Sequence, residues 1–188
     1  MEFKYPTLEF DLFNHPDFQH IGIDYLLKSV LFNLNIENLL DKSDFYQKIQ
    51  LFISEVLSNY IKHSSAKVLR FKLDFYENYF VVNIYNNGNG FAIKDFKTEK
   101  IYLPPYPADV IGKDIILSCA NNRFVCAHIK NENEIVFSKE PMDVAVKNIE
   151  IDELEEKYGI SMITEMCEEV TYERKPKNTN WFRYYIKY

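Results

Sequence analysis

The chain has 188 residues, 47% of them hydrophobic and 27% charged, with a net charge of −6 at pH 7. That length supports one well-buried core rather than two, and the acidic balance offers no basic field for a phosphate backbone, which excludes nucleic acid as the principal partner. No run of about 18 apolar residues occurs and the opening MEFKYPTLEF lacks the pattern of a secretory signal, so the chain is expected to be cytoplasmic, with no membrane contact.

In chain order, LEFDLF reads as an entry strand, and IGIDYLLKSVLFNL repeats its apolar residues at Ile23, Leu26, Leu27, Val30, Leu31 and Leu34 with helical spacing. A second helix begins after Ser43 and Asp44, either of which could cap it. Its apolar stripe runs through Ile49, Phe52, Ile53, Val56, Leu57, Tyr60 and Ile61. Steps of four, three and one residues set Glu55, Asn59, Lys62 and His63 on the polar side of that helix, where side chains three and four apart are neighbours.

KVLRFKLDF and YFVVNIY, separated by the turn YEN, read as a β-hairpin that ends in the loop NNGNGF. Asparagine and glycine tolerate positive φ, and glycine also allows close backbone approach. The prolines of LPPYPAD break any helix there, and IILSCA, RFVCAHI and EIVFSKE read as short strands joined by Asn-rich turns. IDELEEKYGISMITEMCEEV has helical intervals at Ile151, Leu154, Ile160, Ile163, Met166 and Cys167, interrupted by Gly159. TYERK and WFRYYIKY close the chain as another hairpin around PKNTN.

Cys119, Cys126 and Cys167 form no C-x-x-C pair, which points to reduced packing cysteines rather than a disulfide framework or thiolate zinc. His15, His20, His63 and His128 have no metal-ligand spacing on one helix. Long helices beside antiparallel strands imply an α+β fold, a two-layer sandwich with one sheet face covered by helices and the other comparatively exposed.

The E-x-x-x-N-x-x-x-H pattern of Glu55, Asn59 and His63, the hairpin ending in Asn86, Asn87, Gly88, Asn89 and Gly90, and the closing GISMITEMCEEVTYERKPKNTNWFRYYI resemble, in that order, the GHKL ATPases. The nearest likeness is to the serine/threonine kinases that act as anti-sigma factors. The resemblance covers about residues 8 to 91 and 154 to 188 and leaves a segment at about 92–153 as an insertion in a single domain spanning 1–188. It implies a Bergerat-type sandwich with a mixed, mainly antiparallel sheet and helices on one face.

The same resemblance implies the cofactors ATP and Mg²⁺. Asn59 would bind the metal through its amide oxygen, as suits a hard ion that keeps water and phosphate oxygens as other ligands. Glu55 would take a proton from the attacking hydroxyl or water. Lys62 and His63 would add charge near the phosphates, Asn86 would accept from the adenine amine, and Gly88 and Gly90 would admit adenine and ribose. Gly159 would belong to the second glycine turn, and Thr179 matches a recurrent threonine. The implied function is phosphorylation and sequestration of a protein partner, an anti-anti-sigma-like or sigma-like regulator, with a homodimer as one implied form.

Two departures set an alternative beside that function. Asn86 stands where the family carries an aspartate, so the charge that strengthens the adenine bond is missing. Around Lys157, Tyr158, Gly159 and Ile160 only one glycine remains at the phosphate-cradling turn. The alternative expectation is a degenerate module of the same fold that binds a protein without turning ATP over.

Overall fold

The computed structural model describes residues 7–34, 43–120, 123–141 and 158–188. The strands are β1 (Leu8–Phe13), β2 (Val68–Phe75), β3 (Tyr79–Asn86), β4 (Ile93–Lys94), β5 (Ile101–Tyr102), β6 (Asp114–Ala120), β7 (Arg123–Asn131), β8 (Glu134–Pro141), β9 (Glu169–Lys175) and β10 (Thr179–Lys187). The helices are α1 (Gln19–Asn33), α2 (Ser43–His63) and α3 (Tyr158–Met166). The class is α+β, as the residue patterns imply.

Eight strands form one sheet in the order β1-β2-β3-β10-β9-β8-β7-β6, and every ladder among the described residues is antiparallel. The expected mixed sheet is therefore replaced by a wholly antiparallel one over these residues. Two-residue periodicity fixes which side of each strand meets the helices. Leu69, Phe71, Leu73 and Phe75 of β2, Phe80, Val82 and Ile84 of β3, and Phe182, Tyr184 and Ile186 of β10 are all buried and share one face through the pairs Phe71↔Ile84 and Phe182↔Ile84.

On this face lies the helical layer. The α2 rings Phe52 and Tyr60 meet Tyr184 and Phe182 edge-on, with centroids 5.3 and 5.9 Å apart. α1 packs beside α2, and the narrow apolar gap between them and β2 and β3 is lined by Leu26, Val30, Ile49, Phe52, Phe71 and Val82, among others. α3 packs on the other side of α2 and over β6–β8. Gly22 lets α1 approach the edge strand: a Cβ there would lie 2.6 Å from Leu12 Cδ2. The opposite sheet face carries Tyr85, Trp181, Arg183 and Tyr185, all partly exposed, with Tyr85 stacked on Trp181 at 5.6 Å.

β6, β7 and β8 are a meander that pairs onto β9 through Ile135↔Tyr172 and Phe137↔Val170, extending the main sheet. Among the described residues, β4 and β5 pair apart from it as a small second sheet.

Gly159 does not interrupt a helix; it is the second residue of α3. Ile151, Leu154 and Lys157 lie outside the described residues. Cys126 and Cys167 are buried free thiols. No helix among the described residues is long and apolar enough to cross a membrane.

Candidate functional site

The predicted site residues fall into two groups around the C-terminal half of α2. The first group gathers on α2 and α3. Glu55 and Asn59, one turn apart on α2 and half-buried, face the start of α3, where a Cβ on Gly159 would lie 3.0 Å from Glu55 Oε2 and 3.1 Å from Asn59 Nδ2. The atoms nearest that position are the tips of these two flexible side chains. Lys62 and His63 are exposed in the last turn of α2, where positive charge also complements the helix dipole.

That helix end is held from outside. Asn14, just past β1, has its Nδ2 within hydrogen-bond reach of the carbonyls of Tyr60, Ser64 and Ala66 at 3.1, 3.2 and 2.9 Å, which ties the end of α2 and the segment that leaves it to the edge strand. The segment leaving α2 then crosses the glycine loop. Ser65 Oγ accepts from Asn89 N at 2.9 Å, and a Cβ on Gly88 would sit 3.0 Å from Ala66 N and 3.1 Å from Ser64 Oγ.

The second group is a buried polar network at the ends of β3, β9 and β10. Asn86 Oδ1 accepts from Gly88 N at 3.0 Å and from Asn180 Nδ2 at 2.8 Å. Asn180 Nδ2 also lies within hydrogen-bond reach of the Gly88 and Asn89 carbonyls, at 3.1 and 2.9 Å. Asn180 Oδ1 accepts from the Tyr172 hydroxyl at 2.9 Å and from Arg174 at 2.5 Å, and Arg174 donates again to the Gly88 carbonyl at 2.9 Å. Tyr172 in turn accepts from Phe91 N at 3.1 Å.

The network has a lid made from the insertion. A Cβ on Gly90 would come within 2.4 Å of Pro104 Cγ and 2.9 Å of its Cδ, so the loop and the proline are in direct backbone-to-ring contact. Tyr106, buried, donates to the Phe91 carbonyl at 3.1 Å. The Phe91 ring fills the adjoining sheet face among Tyr172, Phe182 and Phe137, at centroid distances of 5.6, 5.3 and 5.7 Å. Burial raises the Tyr106 and Tyr172 hydroxyls above their usual range, so both stay protonated donors at neutral pH.

A carboxamide oxygen has two lone pairs. Both directions of Asn86 Oδ1 are taken by Gly88 and Asn180, so the acceptor expected to read an adenine amine is spent inside the protein. Thr179 opens β10, half-buried, opposite Lys175. Asn180, its neighbour, is the residue that ties the site together, and inspection of motifs alone passes over it. Its signal was its parity: it is a polar residue on the side of β10 that carries Phe182, Tyr184 and Ile186. Tyr172 and Arg174 share that parity on β9. Among the described residues no cluster of His, Cys, Asp and Glu has a metal-holding arrangement.

No protein-family model matches the chain, and no curated protein matches it.

Proposed function

We propose that the chain is a protein-binding module on a Bergerat-type scaffold that regulates its partner by association, without ATP turnover. The scaffold reading is supported by the order of elements around the site. A helix with Glu55 and Asn59 leads into a hairpin, a glycine loop, a later helix whose Gly159 meets both side chains, and a closing hairpin beside β3.

The observation that carries the loss of turnover is the saturation of Asn86 Oδ1 by Gly88 N and Asn180 Nδ2. Admitting an adenine there means breaking a buried amide pair, at a cost of about 1–3 kcal/mol for each polar group left without a partner. A partner of the anti-anti-sigma or sigma type, a protein, remains the proposed ligand.

Calorimetric titration of Mg-ATP into the wild type and into Asn59→Ala tests this. No binding heat is expected from either protein. Tight binding to the wild type that Asn59→Ala abolishes would overturn the reading.

One observation favours the kinase as a second reading. Glu55 and Asn59 retain the one-turn spacing and partial exposure that a base and a Mg²⁺ ligand need. That reading requires ATP-dependent phosphate transfer to a protein serine or threonine that Glu55→Gln eliminates.

A further inference from the structure

The sheet face turned away from the helices carries Trp181, Arg183 and Tyr185 along β10, each half-buried. Cross-strand register sets Arg183 between Asn83 of β3 and Thr171 of β9, and Trp181 between Tyr85 and Glu173. The Trp181 ring is fixed from several sides. Tyr85 stacks on it at 5.6 Å, its Nε1 donates to the buried Asn83 Oδ1 at 3.1 Å, and the Arg183 guanidinium lies over it at 4.2 Å.

Charges on this face are largely answered, and Arg183 is the place where they are not. Arg70 pairs with Asp11 at 2.9 Å, Lys72 with Asp74 at 3.4 Å and Lys175 with Glu173 at 2.5 Å. Among the described residues Arg183 has no ion pair and no hydrogen bond; its contact is the Trp181 ring. Its Nε is buried without an acceptor. So is the hydroxyl of Thr171, its cross-strand neighbour, a residue only 2% exposed. Buried donors are nearly always satisfied, and two orphans at one register position of one face call for a shared acceptor.

We propose that the Nε edge of Arg183, together with the Thr171 hydroxyl, is a binding site for the carboxylate of an acidic side chain presented by the protein partner. The edge of a guanidinium offers two parallel N–H groups at the spacing of two carboxylate oxygens, and a threonine hydroxyl can donate to one of the same oxygens. Charge selects the ligand. One unanswered positive charge matches one carboxylate, whereas a phosphoryl group brings close to two negative charges at pH 7 to a face where Glu173 and Asp74 already stand.

The aromatic pair serves the same site. Cation–π contact with Trp181 holds the guanidinium in place beforehand, so little side-chain freedom remains to be lost on binding. Trp181 and Tyr85 also offer apolar surface beside it for the methylene stem of a glutamate. Because Nε is covered, binding turns the guanidinium on the indole, and Trp181, the one tryptophan of the chain, reports that movement. That the carboxylate belongs to a protein rests on the protein-binding function proposed above; the site itself does not.

The test is a titration of sodium propionate, a minimal glutamate side chain, into the isotope-labelled full chain at constant ionic strength, with sodium chloride as the reference salt. Proton–nitrogen correlation spectra follow the Trp181 indole N–H and the Arg183 Nε–H. Both resonances are expected to shift along one saturable curve with a Kd on the order of 10 mM, weak as suits a single small anion. Arg183→Gln should abolish the indole shift. Thr171→Val, which keeps the side-chain shape, should weaken binding by about 5-fold, as for one lost hydrogen bond, with far-ultraviolet circular dichroism unchanged in both variants. No saturable shift at either resonance, or equal binding by Arg183→Gln, would overturn the site. Inorganic phosphate binding more tightly than propionate would overturn the choice of carboxylate. The calorimetric titration of Mg-ATP decides the other question separately: a chain that binds ATP and still takes propionate at Arg183 keeps the site and loses only the proposed source of its ligand.

Discussion

Replacing Asn180 by alanine tests whether the polar network is the structural keystone at the ends of β3, β9 and β10. Asn180 is buried, and its carboxamide serves Asn86, Gly88, Asn89, Tyr172 and Arg174. In Asn180→Ala, Asn86 Oδ1 keeps only the Gly88 donor, and the buried Tyr172 hydroxyl loses the acceptor it has here. Arg174 and the Gly88 carbonyl still satisfy each other, and the Asn89 carbonyl lies beside an exposed side chain, within reach of water. The loss is thus concentrated on two buried groups and one bond to a charged donor, at about 1–3 kcal/mol each. Together they could reach ~9 kcal/mol, but Asn86 Oδ1 keeps its Gly88 donor and Arg174 keeps the Gly88 carbonyl, which sets the expected loss at the low end, ~3–5 kcal/mol, a large part of the roughly 5–15 kcal/mol that holds a domain folded.

Urea unfolding followed by circular dichroism reads this directly as a lower midpoint at constant slope. The thermal midpoint should fall by roughly 10 °C, at about 2–4 °C per kcal/mol for a chain of this size. Asn86→Ala alone should cost less, and the double variant should cost less than the sum of the two, with a coupling on the order of 1 kcal/mol, because the two carboxamides touch. A loss under about 1 kcal/mol in Asn180→Ala, or strict additivity with Asn86→Ala, would refute the keystone role.

Two glycine substitutions are expected to differ in sign. Gly90→Ala drives a Cβ into the Pro104 ring, a contact neither partner can easily yield. It should cost about 1–3 kcal/mol in urea unfolding. Gly159→Ala meets only the tips of the Glu55 and Asn59 side chains, and alanine gains up to about 1 kcal/mol in a helix, so its urea midpoint should stay level or rise. Burial pushes the Cys167 thiol up to about 12, from an unfolded value near 9. The folded state therefore holds its proton longer than the unfolded chain, so the stability from this group is complete below pH 9 and is lost as pH rises toward 12, by at most about 1.4 kcal/mol per pH unit. Tyr60, Tyr106 and Tyr184, also raised by burial, add the same sign above pH 10. The urea midpoint should fall between pH 8 and 10, more in the wild type than in Cys167→Ala, and alkylation at pH 8 followed by peptide mapping should leave Cys167 unmodified until the chain is unfolded.

Local pattern carried most of the secondary structure. Helical spacing at Leu26, Leu27 and Val30 and at Phe52, Val56 and Tyr60, and alternation at Leu69, Phe71, Leu73 and Phe75, are properties of residues within one or two turns or pleats of each other. Composition and these periods sufficed for the α+β class and for three helices set beside hairpins. What the sequence left undecided was where the strands of residues 92–153 attach and whether Asn86 has an acceptor to spare. Those depend on pairings such as Phe137↔Val170 and on a carboxamide 94 positions away at Asn180. Hydrogen bonds of that separation form only when the sheet closes, so tertiary structure alone decided that Asn86 and Asn180 hold the glycine loop between them.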